Sequence, residues 1–340
     1  MIIRESIPAR VGLVGNPSDG FYGKTIAFLV GNFRCQVTLW ESPTLEIVPS
    51  PDHDPHSFSS LEQLACTAER DGYYGGIRLI FATCKKFRDY CRDHDIALDE
   101  RTFTVTYDTD IPRQVGLAGS SAIVTATFRA LMRFYGVTDE QIPRPIQPNV
   151  VLSVETEELG LYAGLQDRVV QVYGGMVYMD FDRDYIVQHG HGRYEPLDPG
   201  LLPPLFVAHM TDPSSLNRLH NDVRYRFENG DQAVHQAVRQ WAQYAVEAKE
   251  ALLAGDSERL GELMDANFDL RQRIYGEAAL GEKNLEMIEI ARKLGLPCKF
   301  TGSGGAVVGI CRDPGLFDSL RAAYADQGYI CLRALLQPPS

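Results

Sequence analysis

Apolar and polar positions alternate most clearly at Phe103, Val105 and Tyr107, which share one face of a strand. A helical period follows, carried by Val124, Phe128, Leu131 and Tyr135, and Gly136 predicts the helix stop. Between the two runs lies Pro112-Arg113-Gln114-Val115-Gly116-Leu117-Ala118-Gly119-Ser120-Ser121-Ala122, so the local order is strand, glycine-rich turn, helix. Gly116 and Gly119 permit positive φ or a close backbone approach, and Ser120 and Ser121 are expected to cap the helix while presenting hydroxyls. An anion there meets unpaired backbone N–H groups and the positive end of the helix dipole, and the natural ligand is phosphate.

The rest of the chain alternates strand and helix patterns. Residues 6–14 read as an apolar strand entering a turn at Asn16-Pro17-Ser18-Asp19-Gly20. Val37 with Leu39, and later Leu45 with Ile47, predict paired strands, broken off by the Pro-rich stretch 49–55. Residues 75–91 predict a helix with Ile77, Ile80, Phe81, Cys84 and Phe87 on the apolar face and Lys85, Lys86 and Arg88 toward solvent. Residues 143–148, with three prolines, read as a stiff connector. A turn and strand are expected at 174–181, a buried strand at 205–208, a turn at 211–215, and helices at 231–253, 257–274 and 285–294. A second glycine-rich turn, Gly302-Ser303-Gly304-Gly305, then leads into another strand.

Length favours two domains, divided at the composition shift near Leu201-Leu202-Pro203-Pro204, giving 1–200 and 201–340. A formal charge of -12 argues against a nucleic-acid partner, yet permits a local basic pocket for an anionic substrate. The seven cysteines are odd in number, dispersed and never in a C-x-x-C pair, which predicts reduced thiols and a cytoplasmic setting. No apolar run approaches the ~20 residues of a membrane span, so a membrane role is not expected. Gly23-Lys24-Thr25 has the look of the end of a P-loop, but the motif needs glycine where Ser18 stands, and that reading is rejected. His53 and His56 read as a surface loop, and His189 and His191 as solvent or hinge residues. On residue type alone Glu155 and Asp167 are open between a solvated helix carboxylate or a helix N-terminal residue and a working site.

Three stretches resemble the motifs of the GHMP kinases, the superfamily of galactokinase, homoserine kinase, mevalonate kinase and phosphomevalonate kinase. The 112–122 loop resembles the second motif, although Ala118 and Gly119 stand where the family has a single glycine. The strand and turn from Pro8 to Asp19 resemble the first, and 299–309 the third, which packs against the phosphate loop. The resemblance implies an α+β, two-domain GHMP kinase fold: a ribosomal S5 domain 2-like N-terminal domain with a left-handed crossover, and a ferredoxin-like C-terminal domain. It implies ATP held by Pro112, Val115, Gly116, Leu117, Ala118, Gly119, Ser120, Ser121 and Ala122. It places Mg²⁺ on Ser121 and Glu155, a base at Asp167, and Arg10 near the reacting oxygen. Asp19, Arg113, Arg168, Gly302, Ser303 and Gly304 are the expected substrate contacts.

The phrases Gly12-Leu13-Val14-Gly15-Asn16-Pro17, Ala163-Gly164-Leu165-Gln166-Asp167-Arg168 and Asn267-Phe268-Asp269-Leu270-Arg271 resemble the glucuronokinase branch. That implies transfer from ATP to the anomeric hydroxyl of a sugar acid, with galacturonate or a neutral hexose as neighbouring substrates and a non-catalytic sugar sensor as the rival reading. Arg10, Lys24, Arg113 and Arg168 are the candidates for the sugar carboxylate. Oligomeric state is left open.

Overall fold

The computed structural model describes residues 1–71, 75–212 and 222–337. Two compact units interleave along the chain: Met1–Ala9, Asn32–Ile111 and Ala118–Val172 form the first, and Arg10–Gly31, Pro112–Leu117 and Tyr173–Ser340 the second. Strands β1 (Ile2–Val14) and β2 (Lys24–Glu41) contribute residues to both.

In the first unit the Cys35–Glu41 half of β2 pairs antiparallel with β4 (Phe103–Thr109), running from Cys35 opposite Thr109 to Glu41 opposite Phe103. Strand β3 (Glu46–Ile47) pairs parallel with β4, and a parallel pair needs a crossover, which the helices Leu61–Asp71 and Gly76–Asp93 supply. The second of these buries Leu79, Ile80, Phe87 and Cys91, while Phe81, expected on the apolar face, is 59% exposed. The residue before Ile80 rather than the residue after it completes the buried stripe, so the apolar face is rotated by about one position.

Helix Gly119–Tyr135 is held against Gly76–Asp93 by an edge-on contact of Phe87 with Phe128, ring centroids 5.9 Å apart. The connector expected at 143–148 already turns helical at its end. Gln147–Ser153 is an α-helix with Pro148 in its first turn, where a missing N–H costs nothing, and it continues into a π-helical segment, Val154–Glu158.

In the second unit the Lys24–Phe28 half of β2 pairs with β5 (Met176–Asp180), which pairs with β6 (Arg193–Leu197). A four-stranded antiparallel sheet runs in the order β10 (Tyr329–Arg333), β7 (Leu205–Met210), β9 (Ala306–Ile310), β8 (Cys298–Phe300). Helices lie between β7 and β8 and between β9 and β10, so the chain order is that of a split β-α-β-β-α-β unit, the ferredoxin-like arrangement.

Two of its helices follow closely from sequence. Gln232–Ala254 starts where Asp231 accepts from the Ala233 and Val234 amides and stops at left-handed Gly255; Ser257–Tyr275 starts where Asp256 accepts from the Arg259 amide. Trp241, Met264 and Phe268 are buried on their inward faces. Part of the turn expected at 211–215 lies outside the described residues.

Candidate active site

The phosphate loop divides between the units, with residues up to Leu117 in the second and Ala118 onward in the first. Helix Gly119–Tyr135 begins at Ala118, whose φ of +63° is left-handed, and no side chain caps it. The serines therefore do not cap the helix as expected. They lie inside its first turn, and the Ser121 hydroxyl donates to the Ala118 carbonyl at 3.1 Å. Among the described residues the amides of Gly119, Ser120 and Ser121 have no acceptor, and Ser120 is exposed. Unsatisfied amides at a helix start make a place for an anion. Gln171, which sequence reasoning passed over, fixes this turn by donating from Nε2 to the Ala118 carbonyl at 3.1 Å and to Pro8 at 3.4 Å.

Three charged residues meet in the same unit. Arg168 and Glu155 form a buried ion pair, Arg168 Nη1 lies 3.4 Å from Asp167 Oδ2, and the same nitrogen donates to the Gly164 carbonyl at 2.9 Å. Glu155 sits in the π-helical segment and Asp167 in the first turn of helix Leu165–Tyr173. The arginine thus holds two carboxylates from separate elements, and Asp167 is the more accessible of them, its side chain 20% exposed against 5% for Glu155.

In the second unit the other two motifs meet the loop. Arg10 is buried; its Nη1 donates to the carbonyls of Thr301 at 2.6 Å and Gly116 at 3.1 Å, and its amide donates to Leu117 at 3.1 Å. Thr301 Oγ1 also donates to Gly116 O at 3.1 Å. Gly116 has φ +70°, and a Cβ there would lie 2.8 Å from the Gly304 carbonyl oxygen. Glycine is required on both counts. Val115 and Leu117 are buried and Pro112 and Arg113 partly so.

Asp19 lies in a 3-10 turn, Ser18–Phe21, closed by Ser18 Oγ donating to the Lys24 carbonyl at 2.9 Å. That serine fills the space beside Gly23, and Lys24 begins β2 with its Nζ 2.5 Å from Asp180.

Behind these loops lie two buried basic side chains, Lys299 and Arg271, that no pattern along the chain placed there. Lys299 is buried and donates to Gly12 O at 3.0 Å, Asn16 Oδ1 at 2.7 Å and Phe300 O at 2.7 Å. Burial, with Arg271 and Arg10 nearby, pushes its ammonium well below the usual lysine range. Arg271 donates from Nη1 to Gly302 O at 2.7 Å, and burial lowers its pKa as well. Asn267 accepts from the Gly15 amide at 2.7 Å and donates to Asn16 O at 2.9 Å, fixing the first turn. Amphipathic patterning placed Asn267 and Arg271 on a helix but says nothing of carbonyls reached from elsewhere in the chain.

Comparison with known proteins bears on the whole arrangement. The model of the GHMP kinases N terminal domain matches residues 78–175, and that of the GHMP kinases C terminal domain residues 248–330. The chain is 48% identical over 303 residues to Glucuronokinase 1 of Arabidopsis thaliana, covering 89% of this chain and 83% of that one. It is 27% identical over 320 residues to a mevalonate kinase of Thermococcus gammatolerans, covering 90% and 87%. In fold it is similar to Lactococcus lactis galactokinase solved with galactose, at TM-score 0.76, 14% identity and coverage of 100% and 95%. It is also similar to Streptococcus pneumoniae phosphomevalonate kinase solved with phosphomevalonate and AMPPNP, at TM-score 0.71, 15% identity and full coverage of both chains.

Proposed function

We propose that this chain, which belongs to the GHMP kinases, transfers the γ-phosphoryl group of ATP to the anomeric hydroxyl of D-glucuronate, giving the 1-phosphate and ADP. The observation that carries the choice of sugar is the 48% identity to Glucuronokinase 1 over most of both chains. The kinase reading draws support from the uncapped start of the Gly119 helix, where three amides and a positive dipole end suit phosphate oxygens.

Asp167 is the base we assign. In phosphoryl transfer the protein supplies mainly position and charge, and a carboxylate orients or deprotonates the attacking hydroxyl. Arg168, 3.4 Å away, fixes the direction of that carboxylate. Asp19 and Arg113 are proposed to contact sugar hydroxyls and carboxylate, and Gly302, Ser303 and Gly304 to contact the substrate through their backbone. Arg10 acts by pinning Gly116 and Thr301, so its charge stands behind the loops.

Ser121 and Glu155 offer hard oxygen donors of the kind Mg²⁺ takes, and among the described residues no cluster of three or more His, Cys, Asp or Glu side chains is placed to share a metal. Few protein ligands suit an ion that is completed by phosphate oxygens, and Ser121 and Glu155 are the residues we assign to hold it; both are buried, and Glu155 would have to exchange its pairing with Arg168 for the ion. When bound it neutralises charge on the β- and γ-phosphates. Seven unpaired cysteines favour a reducing compartment, which we take to be the cytoplasm. Among the described residues no helix is long and apolar enough to cross a membrane.

The test is ADP release with MgATP and a panel of glucuronate, galacturonate and neutral hexoses. The reading predicts preference for glucuronate; activity confined to neutral sugars rejects it, and binding of sugar without turnover favours a sensor.

A further inference from the structure

We propose that Arg271 is a positioning residue which turns the amides of Gly302, Ser303 and Gly304 into a binding site for an oxyanion of the reactants, either the sugar carboxylate or the phosphoryl group in transfer. The proposal rests on the kinase reading above.

In a trans peptide the carbonyl of one residue and the N–H of the next point in opposite directions. The Thr301 carbonyl is taken by Arg10 at 2.6 Å, the Gly302 carbonyl by Arg271 Nη1 at 2.7 Å, and the Ser303 carbonyl lies 3.4 Å from Arg271 Nη2. The N–H groups of Gly302, Ser303 and Gly304 therefore face away from the two guanidinium groups. Among the described residues none of these three amides has an acceptor, whereas the next, Gly305, donates to Asn284 Oδ1 at 2.7 Å. Ser303 is exposed and Gly302 partly so, which leaves these two amides within reach of a ligand, while Gly304 is buried against Gly116 of the phosphate loop. Consecutive amides facing one way form an anion-binding concavity.

Arg271 itself supplies an independent reason. It is 4% exposed, its Nε is buried without a hydrogen-bond partner, and its guanidinium lies against the rings of Tyr275 and Phe300, 5.3 and 5.2 Å from their centroids. Among the described residues no carboxylate lies within ion-pair distance of Arg271 or of its neighbour Lys299; both bind neutral oxygens. A buried guanidinium without a buried anion is costly to fold. The cost has a use if an anion arrives on the far side of a loop one peptide thick, where donors fixed in advance need no reorganisation during the reaction.

The experiment compares wild type with Arg271→Met, which removes charge and both carbonyl contacts at similar volume, and with Arg271→Lys, which keeps the charge. Arg271→Gln replaces the methionine variant if that fails to fold, and thermal melting reports folding. Steady-state kcat and KM for glucuronate are measured together with the calorimetric Kd for glucuronate alone. The expected result is a fall in kcat/KM of at least about tenfold in folded Arg271→Met, with part of it recovered in Arg271→Lys. A loss carried by KM with a matching rise in Kd assigns the carboxylate; a loss carried by kcat with Kd unmoved assigns the phosphoryl group. Activity within about threefold of wild type in a folded variant overturns the proposal. The wild type in the same assay reports on the proposed substrate by itself: if it ignores glucuronate, that reading falls, and the Arg271 ratio is taken on whichever sugar of the panel it phosphorylates.

Discussion

Replacing Arg168 by methionine isolates the ion pair that joins the π-helical segment to the helix bearing the proposed base. In the native chain the Arg168 side chain is 3% exposed and that of Glu155 5%, so neither charge has water as an alternative partner. Loss of the arginine leaves Glu155 buried with no opposite charge, a situation that costs about 3–5 kcal/mol. Asp167, 20% exposed, loses a contact of 3.4 Å and adds little to that figure, because solvent screens it. At about 2 °C per kcal/mol for a chain of this size, the melting temperature should fall by at least about 6 °C. Glu155→Gln alone leaves Arg168 with the Gly164 carbonyl and Asp167, so it should cost less, and the double variant should recover about 2–3 kcal/mol relative to the sum of the singles. Urea denaturation of the four proteins measures this cycle. A cost below about 1 kcal/mol for Arg168→Met, or strict additivity, refutes the assignment of a buried pair.

Asp167→Ala should lower kcat by about 10²–10⁴ with little change in melting temperature, and turnover within about threefold of wild type removes Asp167 from the base role. Gly116→Ala places a Cβ 2.8 Å from a backbone oxygen at positive φ. It should cost about 2 kcal/mol or more and lower kcat/KM, and unchanged kinetics mean the two loops do not need this spacing.

Alkaline stability follows from burial. It raises Cys84 and Cys331 from 9.0 to about 12, and Tyr178 and Tyr194 from 10.0 to about 12. Because the fold favours their protonated forms, their contribution is full below pH 9.0 and is lost as pH rises toward about 12. Lys299, shifted downward, acts with the opposite sign, against upward shifts at these four and also at Cys35, Cys298, Tyr324 and Tyr329. The urea midpoint should therefore decline between about pH 9 and 11, and a flat or rising profile contradicts the burial of these groups.

What the chain disclosed in advance was set by short-range physics. The strand–turn–helix order around Gly116, the spans of the two long helices and the alternation in β4 all depend on neighbours within a few residues. Three features escaped that reasoning. Ala118 adopts a left-handed φ that alanine does not favour, and this shifts the serines from capping positions into the first turn. The burial of Lys299 and Arg271 is made affordable by carbonyls of Gly12, Phe300 and Gly302, and the Gly12 partner lies far away in sequence. The ion pair of Glu155 with Arg168 gives their expected roles a common anchor, since one arginine faces both proposed working carboxylates.

Phosphoryl transfer to the anomeric oxygen of a sugar acid forms a bond that ³¹P NMR of a reaction with MgATP and D-glucuronate reads directly. It predicts ADP together with a sugar-phosphate signal coupled to the anomeric proton. ADP without that signal, phosphorus coupled to another carbon's proton, or ATP left intact contradicts it.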